Sequence, residues 1–207
     1  MNFGIFITLE GTEGVGKTSA LDFVLKVLES LGKKAIVTRE PGGTTLGEKI
    51  RHLLLDKDSS IVANAELLLL FAARSQHVER VILPNLEQGI CVVSDRFTDA
   101  TMAYQAGGRN MKEEVIEILA NLVHPGLVPD LTLLLDAPLN VSEQRLSKRG
   151  QSKDRFESEN RQFFSKVRQK YLQLADENPS RFVKIDATAS QSEVLQQIER
   201  TIKERVE

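Results

Sequence analysis

The chain has one cysteine, no tryptophan and only two tyrosines among 207 residues. A single cysteine excludes an intramolecular disulfide framework and fits a reducing compartment. Long apolar runs are missing too. The longest strongly apolar stretch, Ala65 to Ala73, is interrupted by Glu66 and falls short of a membrane span. Met1 to Glu10 carries no basic region and too short an apolar run for a secretory signal, so the expectation is a cytoplasmic protein. An excess of charge of either sign is absent: 27 Lys and Arg stand against 29 Asp and Glu, for a net charge of −2. That balance argues against a general nucleic-acid binder, which is usually basic. What remains is ordinary globular composition, 41% hydrophobic and 27% charged, in a length that fits one domain over residues 1–207.

Short apolar runs alternate with longer amphipathic segments. Strands are expected at Phe3–Leu9, Ala35–Thr38, Ile90–Ser94, Leu131–Leu135 and Phe182–Ile185. A helix with Leu21, Val24, Leu25 and Leu28 on one face follows the first strand, and Gly32 is placed to end it. Further helices are expected near Gly47–Leu55, Ala63–Glu87, Asp99–Gln105, Lys112–Val123, Asn140–Lys148, Glu157–Asp176 and Gln191–Val206. Continuous apolar strands alternating with helices predict an α/β fold in three layers, a five-stranded parallel sheet flanked by helices. In such sheets ligands sit beyond the carboxyl ends of the strands, so functional residues should follow strands.

They do. Gly11-Thr12-Glu13-Gly14-Val15-Gly16-Lys17-Thr18 follows the first strand and matches the phosphate-loop pattern G-x-x-x-x-G-K-[ST]. Gly11, Gly14 and Gly16 let backbone N–H groups converge on an anion, with Ser19 in the first helical turn behind them. Lys17 is expected on the β- and γ-phosphates of a nucleoside triphosphate such as ATP, and Thr18 on Mg²⁺. Glu13 is unusual there, since a carboxylate is repelled by a phosphate ligand. It calls for a cationic partner or a substrate hydroxyl. No N-K-x-D guanine-reading motif is present, which weighs against a GTPase.

Asp95-Arg96 follows the third strand. Asp95 stands where a carboxylate directs Mg²⁺, and Arg96 can fork onto a phosphate. Asp136 after the fourth strand could serve the same metal or cap a helix; Asp186 after the fifth could open a base-binding loop or a plain turn. Leu67, Phe71, Arg74 and Val78 share one helix face. Arg74 on that apolar stripe needs a partner, and Phe71 could stack on a base. The span Arg145 to Arg155 holds Arg145, Lys148, Arg149, Lys153 and Arg155 against one acid, Asp154. With Gly150 and Ser152 it reads as a basic lid over phosphates, at about residues 146–157. Cys91, mid-strand, reads as core. His52, His77 and His124 have no zinc-ligand spacing.

Taken together, Phe6 to Gly11 running into the phosphate loop, Thr38-Arg39-Glu40-Pro41-Gly42-Gly43, Leu70-Phe71-Ala72-Ala73-Arg74, Asp95-Arg96-Phe97, Ala103-Tyr104-Gln105, Gly107-Gly108-Arg109, Arg149-Gly150 and Asp154-Arg155-Phe156-Glu157 resemble thymidylate kinases of the bacterial type. They occur in family order through about three quarters of the chain. The resemblance implies a P-loop NTPase-type fold with a lid, transfer of the ATP γ-phosphoryl group to the small molecule dTMP, Mg²⁺ as cofactor, and a homodimer with no nucleic-acid or membrane partner. Carried over by position, Arg96 would span both phosphates. Phe71 would stack on thymine, and Arg74 would donate to its carbonyl. Thr101 and Gln105 would line the base, and Tyr104 would crowd the sugar 2′ carbon. Arg39, Pro41 and Arg51 would form the acceptor side, with Arg39 on the dTMP phosphate. Glu13 matches an acidic position near the acceptor sugar and lid. The phosphate loop holds no arginine, so the catalytic arginine falls to the lid, as in the bacterial type. This lid is one residue longer than the common R-G-x-x-D-R pattern, which leaves both Arg149 and Arg155 as candidates for the γ-phosphate. The nearest alternatives are another nucleoside or nucleotide kinase, for example one using a deoxynucleoside, and a nucleotide-dependent regulatory ATPase that acts on a protein partner.

Overall fold

A computed structural model describes residues 3–150 and 154–206, save the side chain of Arg149. Strands β1 (Phe6–Glu10), β2 (Ala35–Arg39), β3 (Cys91–Asp95), β4 (Leu131–Asp136) and β5 (Phe182–Asp186) form one parallel sheet in the order β2-β3-β1-β4-β5. The fold is that of P-loop NTPases. β1 lies centrally, with Leu9 in register with Asp95 on one side and Leu133 on the other. Its pleat divides the core. Ile7 and Leu9 point to the layer of α1 (Lys17–Ser30) and α9 (Gln191–Val206), against Val24, Leu28, Ile198 and Ile202. Phe6 points to the opposite layer, against Val78, Ile82 and Phe97. Alternate side chains of a buried parallel strand must find partners on both faces, which is why the central strands β1, β3 and β4 are almost wholly buried and mostly apolar.

Each strand runs one residue beyond its expected end and closes on a charged side chain: Glu10, Arg39, Asp95, Asp136 and Asp186. The first strand also begins later than expected, at Phe6. Hydrogen bonding to neighbouring strands carries the ladder through these residues: Arg39 lies opposite Asp95, and Asp136 opposite Asp186. The sheet therefore delivers charges to one edge.

The segment expected as one helix over residues 63–87 is α3 (Ala63–His77), a wider π-helical stretch (Val78–Ile82) and α4 (Leu83–Glu87). Pro84 is the reason: it offers no N–H and its ring crowds the preceding turn. After α5 (Thr98–Thr101), a second π-helical stretch covers Met102–Gly108. Gly107 and Gly108 there let α8 (Arg161–Glu177) approach, since a Cβ would strike Lys170 or Phe163. α8 starts four residues later than expected because Asn160 caps it, accepting from the Phe163 amide at 2.9 Å. α2 (Thr45–Leu55) starts earlier because Thr44 caps it, accepting from the Gly47 amide at 3.0 Å. α6 (Glu113–Val123) and α7 (Leu139–Arg149) follow expectation within a residue. Cys91 is buried with a free thiol at the start of β3. Among the described residues, no helix is long and apolar enough to cross a membrane.

Candidate active site

A cavity of about 490 Å³ opens beyond the carboxyl ends of β1, β2 and β3. The phosphate loop forms one wall. Gly16 adopts a left-handed conformation at the start of α1, and Gly14 another, where a Cβ would lie 2.6 Å from the Ser142 carbonyl oxygen of α7. Glycine is thus required for the loop to pass beneath α7. Gly14, Gly16, Lys17 and Thr18 line the cavity; Gly11 and Ser19 support the loop without lining it. Lys17 Nζ donates to the carbonyls of Gly11 (3.1 Å) and Thr12 (3.0 Å), curled into its own loop. Burial, reinforced by Arg96, pushes its ammonium down to about 8 against the pull of Asp95, Glu13 and Glu10.

Arg96 is held through three side-chain hydrogen bonds. Its backbone is left-handed (φ 71°), a conformation that costs a non-glycine residue energy. Nη1 donates to the Tyr171 hydroxyl at 3.0 Å; Nη2 donates to Glu13 Oε1 at 2.9 Å and to the Tyr104 hydroxyl at 3.0 Å. Tyr104 in turn donates to Glu13, and Tyr171 donates to Glu10 Oε2 at 2.7 Å. Glu10 Oε1 accepts from the Phe97 amide, pinning the residue after Arg96. Burial, with Asp99 beside it, pushes the Glu10 carboxyl up to about 8. Glu13 therefore has the cationic partner its position called for.

The far end of the cavity is lined by Pro41, Arg51, Leu70, Arg74, Thr101 and Gln105. Arg74 is 2% exposed, a burial tolerable only with partners. Nε donates to Glu40 Oε2 at 2.7 Å, and Nη2 to Thr101 Oγ1 at 2.8 Å and the Phe97 carbonyl at 3.2 Å. Burial pushes the Glu40 carboxyl up, but Arg74 and His77 more than offset this and hold it below the usual range. His77 sits behind Glu40, bonded through Nδ1 to its carboxylate and through Nε2 to Thr38 Oγ1. Gln105 Nε2 donates to Glu66 Oε1 at 2.9 Å. Three buried polar atoms of lining residues then have no partner: Arg74 Nη1, Gln105 Oε1 and Asp95 Oδ1. Each is a place for a ligand to complete.

Four expectations need correction. Phe71 does not line the cavity; it packs with Leu67 against Ile116 of α6, and Arg74 Cζ rests 4.8 Å from its ring. Leu70 lines the cavity instead, because the i, i+4 pair Leu70 and Arg74 faces it while Leu67 and Phe71 face α6. Arg155 turns away from the phosphate side. Its Nε donates to the Leu54 carbonyl at 2.7 Å and its Nη2 forms an ion pair with Glu66 Oε2 at 2.6 Å. Arg39 does not line the cavity either; it pairs with Glu48 at 2.7 Å on the exposed side of β2, where β-strand alternation sends it. Asp136 neither caps a helix nor offers itself to a metal: it holds Arg168 through both oxygens, at 2.7 and 2.8 Å. Asp186 makes the plain turn, accepting from Thr188.

In the expected lid, Arg145 of α7 lines the cavity, the side chain of Arg149 and residues 151–153 lie outside the described residues, and Asp154, Phe156 and Glu157 line the cavity. Sequence reasoning missed Glu10, Glu66 and Tyr171, which hold the site from behind. The only available signal was a charged or hydroxyl-bearing residue in an otherwise apolar segment, as at Glu66.

A phosphate loop forming one wall of a cavity that Arg74 and Arg96 also line defines a P-loop kinase. The thymidylate kinase family model matches residues 9–198. Thymidylate kinase of Neisseria gonorrhoeae (strain NCCP11945) is 51% identical over 197 residues, 95% of either chain. That of Chromohalobacter salexigens is 50% identical over 208 residues, covering 100% of this chain and 98% of its own. The crystal structure of thymidylate kinase from Ehrlichia chaffeensis superposes with a TM-score of 0.79 at 30% identity, covering 97% of this chain and 99% of that one. The chain belongs to the thymidylate kinase family.

Lys17 gives a pH prediction. Bound phosphates favour the ammonium, so a triphosphate raises its proton affinity above the free value of about 8. Binding must then take up a proton as pH rises through 8, and ATP affinity must fall between pH 8 and 9.5. Titration calorimetry in two buffers of different ionisation enthalpy measures both; an affinity flat over that range contradicts the assignment.

Proposed function

We propose that the chain transfers the γ-phosphoryl group of ATP to dTMP, giving dTDP and ADP, with Mg²⁺. One observation carries the acceptor: Arg74 Nη1, a donor, and Gln105 Oε1, an acceptor, are the unpartnered atoms of the inner pocket. A thymine edge presents the complement, a carbonyl acceptor at C4 beside an N–H donor at N3. Cytosine presents the reverse order, an amino donor beside an acceptor nitrogen. Mismatched buried polar atoms are costly, so this arrangement favours thymine. Leu70 and Pro41 supply the apolar walls, and Tyr104 stands where the resemblance puts the sugar 2′ carbon.

The acceptor is already an anionic phosphate, so no strong base is required. A phosphate oxygen of dTMP attacks the γ-phosphorus, the bond from that phosphorus to the ADP oxygen breaks, and ADP leaves carrying the electron pair. The protein's part is alignment and charge neutralisation. Lys17 and the loop amides hold the donor phosphates. Arg96 stands between the two ends, prearranged by Glu13 and the tyrosines. On α7, Arg145 and Arg149 are the lid cations for the donor side; Arg155 is assigned to the acceptor side through Glu66. Thr18 and Asp95 fit Mg²⁺, since Asp95 Oδ1 is buried without a partner and Mg²⁺ takes few protein ligands beside phosphates and water. The bound ion would neutralise charge on the donor phosphates. Residues 1–207 act as one kinase domain, and the single cysteine fits a reducing cytoplasm.

A homodimer is the reading for the outer face of α2, α3 and α6. Leu53, Leu68, Ile118 and Leu122 are exposed there on adjacent helices, and Ile118 and Leu122 share one face of α6. The resemblance implies a homodimer, and a second copy of the chain would cover this face. Light scattering should give twice the 23.1 kDa of one chain, and Leu122→Lys should give the single mass. A monomeric wild type removes the dimer.

The function itself is tested by coupled ATP turnover with dTMP, dUMP, dCMP, AMP and thymidine. The expected order is dTMP first, with dCMP and thymidine weakest. Equal turnover of all acceptors, or ATP hydrolysis without one, overturns the assignment.

A further inference from the structure

Glu66 belongs to α3, is fully buried, and does not line the cavity. Oε1 accepts from Gln105 Nε2 at 2.9 Å and from Arg109 Nε at 3.2 Å. Oε2 accepts from Arg109 Nη2 at 3.2 Å and pairs with Arg155 Nη2 at 2.6 Å. Burial pushes this carboxyl up, but the bonds from Arg109, Gln105 and Arg155 bring it below its usual value, so it is ionised at neutral pH.

An ionised carboxylate has only acceptors, whereas a glutamine amide has a donor end and an acceptor end of nearly equal shape. Turning the Gln105 amide over would set its carbonyl oxygen against Glu66 Oε1, two acceptors with no hydrogen between them. The Nε2 end must therefore face Glu66. The Oε1 end is left without a protein partner, on a residue that lines the pocket. Without such a clamp a glutamine would present whichever end a ligand wanted, and would read neither pyrimidine.

We propose that Glu66 is a specificity-determining positioning residue: it locks the Gln105 amide with its acceptor toward the base, and so excludes pyrimidines whose N3 is an acceptor. The proposal rests on the reading of the inner pocket as the dTMP base site. Glu66 touches no substrate and acts through Gln105. The discrimination works by an imposed mismatch against the wrong base as much as by a bond to the right one.

The test is the ratio of kcat/KM for dTMP to that for dCMP. Glu66→Gln gives residue 66 an amide that can donate or accept, freeing Gln105 to turn over. The ratio should fall about tenfold, the size of one net hydrogen bond, mainly through a lower KM for dCMP. The exchange variant Glu66→Gln with Gln105→Glu restores an acceptor-only group facing the base, keeps the total charge, and should return the ratio to within about threefold of wild type. Arg109→Gln loosens the cluster without touching the amide bond, and should leave the ratio unchanged whatever it does to stability. An unmoved ratio in Glu66→Gln, or an equal shift in Arg109→Gln, overturns the proposal. If Glu66→Gln does not fold, the exchange variant decides: a ratio kept supports the clamp and a ratio lost overturns it. A wild type with no preference for dTMP over dCMP overturns the reading of the pocket itself; a wild-type preference with unmoved variants overturns the clamp alone.

Discussion

A guanidinium cannot be carried into a protein interior without acceptors waiting for it, and the ion pair between Arg96 and Glu13 is where this chain meets that constraint. Arg96 follows β3 in a left-handed conformation and lines the cavity. Glu13 comes from the phosphate loop, Tyr104 from the π-helical stretch after α5, and Tyr171 from α8. One side chain thus ties together the phosphate loop, the π-helical stretch after α5 and the helix behind them. Glu10, at the end of β1, closes the arrangement by holding both Tyr171 and the Phe97 amide. The carboxylate that looked misplaced in a phosphate cradle is the counter-charge that keeps the arginine poised.

The same construction recurs along the pocket. Arg74 is held by Glu40, Thr101 and a carbonyl, with one nitrogen left over. Gln105 is held by Glu66, with its oxygen left over. Each of these side chains is fixed through part of its hydrogen-bonding capacity and leaves one polar atom toward the cavity without a partner. Such prearrangement means that little reorganisation is needed when ligand binds, which is how positioned charges become effective. The parallel sheet makes it possible, because strands that end on charged residues present them along one edge.

Much of this was legible in the sequence, for local reasons. The apolar runs fixed the strands, the glycine pattern with Lys17 and Thr18 fixed the phosphate loop, and Asp95-Arg96 declared itself by following a strand. What was not legible depended on partners far away in the chain. Helical spacing put Phe71 and Arg74 on one face, but whether the aromatic or Leu70 met the pocket was decided by α6, which took Phe71 into its contact with Ile116. A basic segment read as a lid, but Arg155 is claimed by Glu66, 89 positions earlier, and by the Leu54 carbonyl. Asp136 offered itself as a metal ligand until Arg168 of α8 occupied both its oxygens. Spacing reveals which residues can share a face; it does not reveal which opposite charge arrives.

The claim that Arg96 acts from a prearranged pose is tested most directly by Tyr171→Phe. Tyr171 is 1% exposed and lies outside the cavity lining, so the change removes one hydroxyl from behind the site and nothing from its surface. Arg96 Nη1 and Glu10 Oε2 then lose a partner at a cost of about 1–3 kcal/mol in stability. With the variant held below its melting range, kcat for dTMP should fall about tenfold or more while KM for ATP and dTMP stays within about threefold, because positioning is felt at the transition state. An unchanged kcat, or a loss expressed in KM alone, would contradict the account.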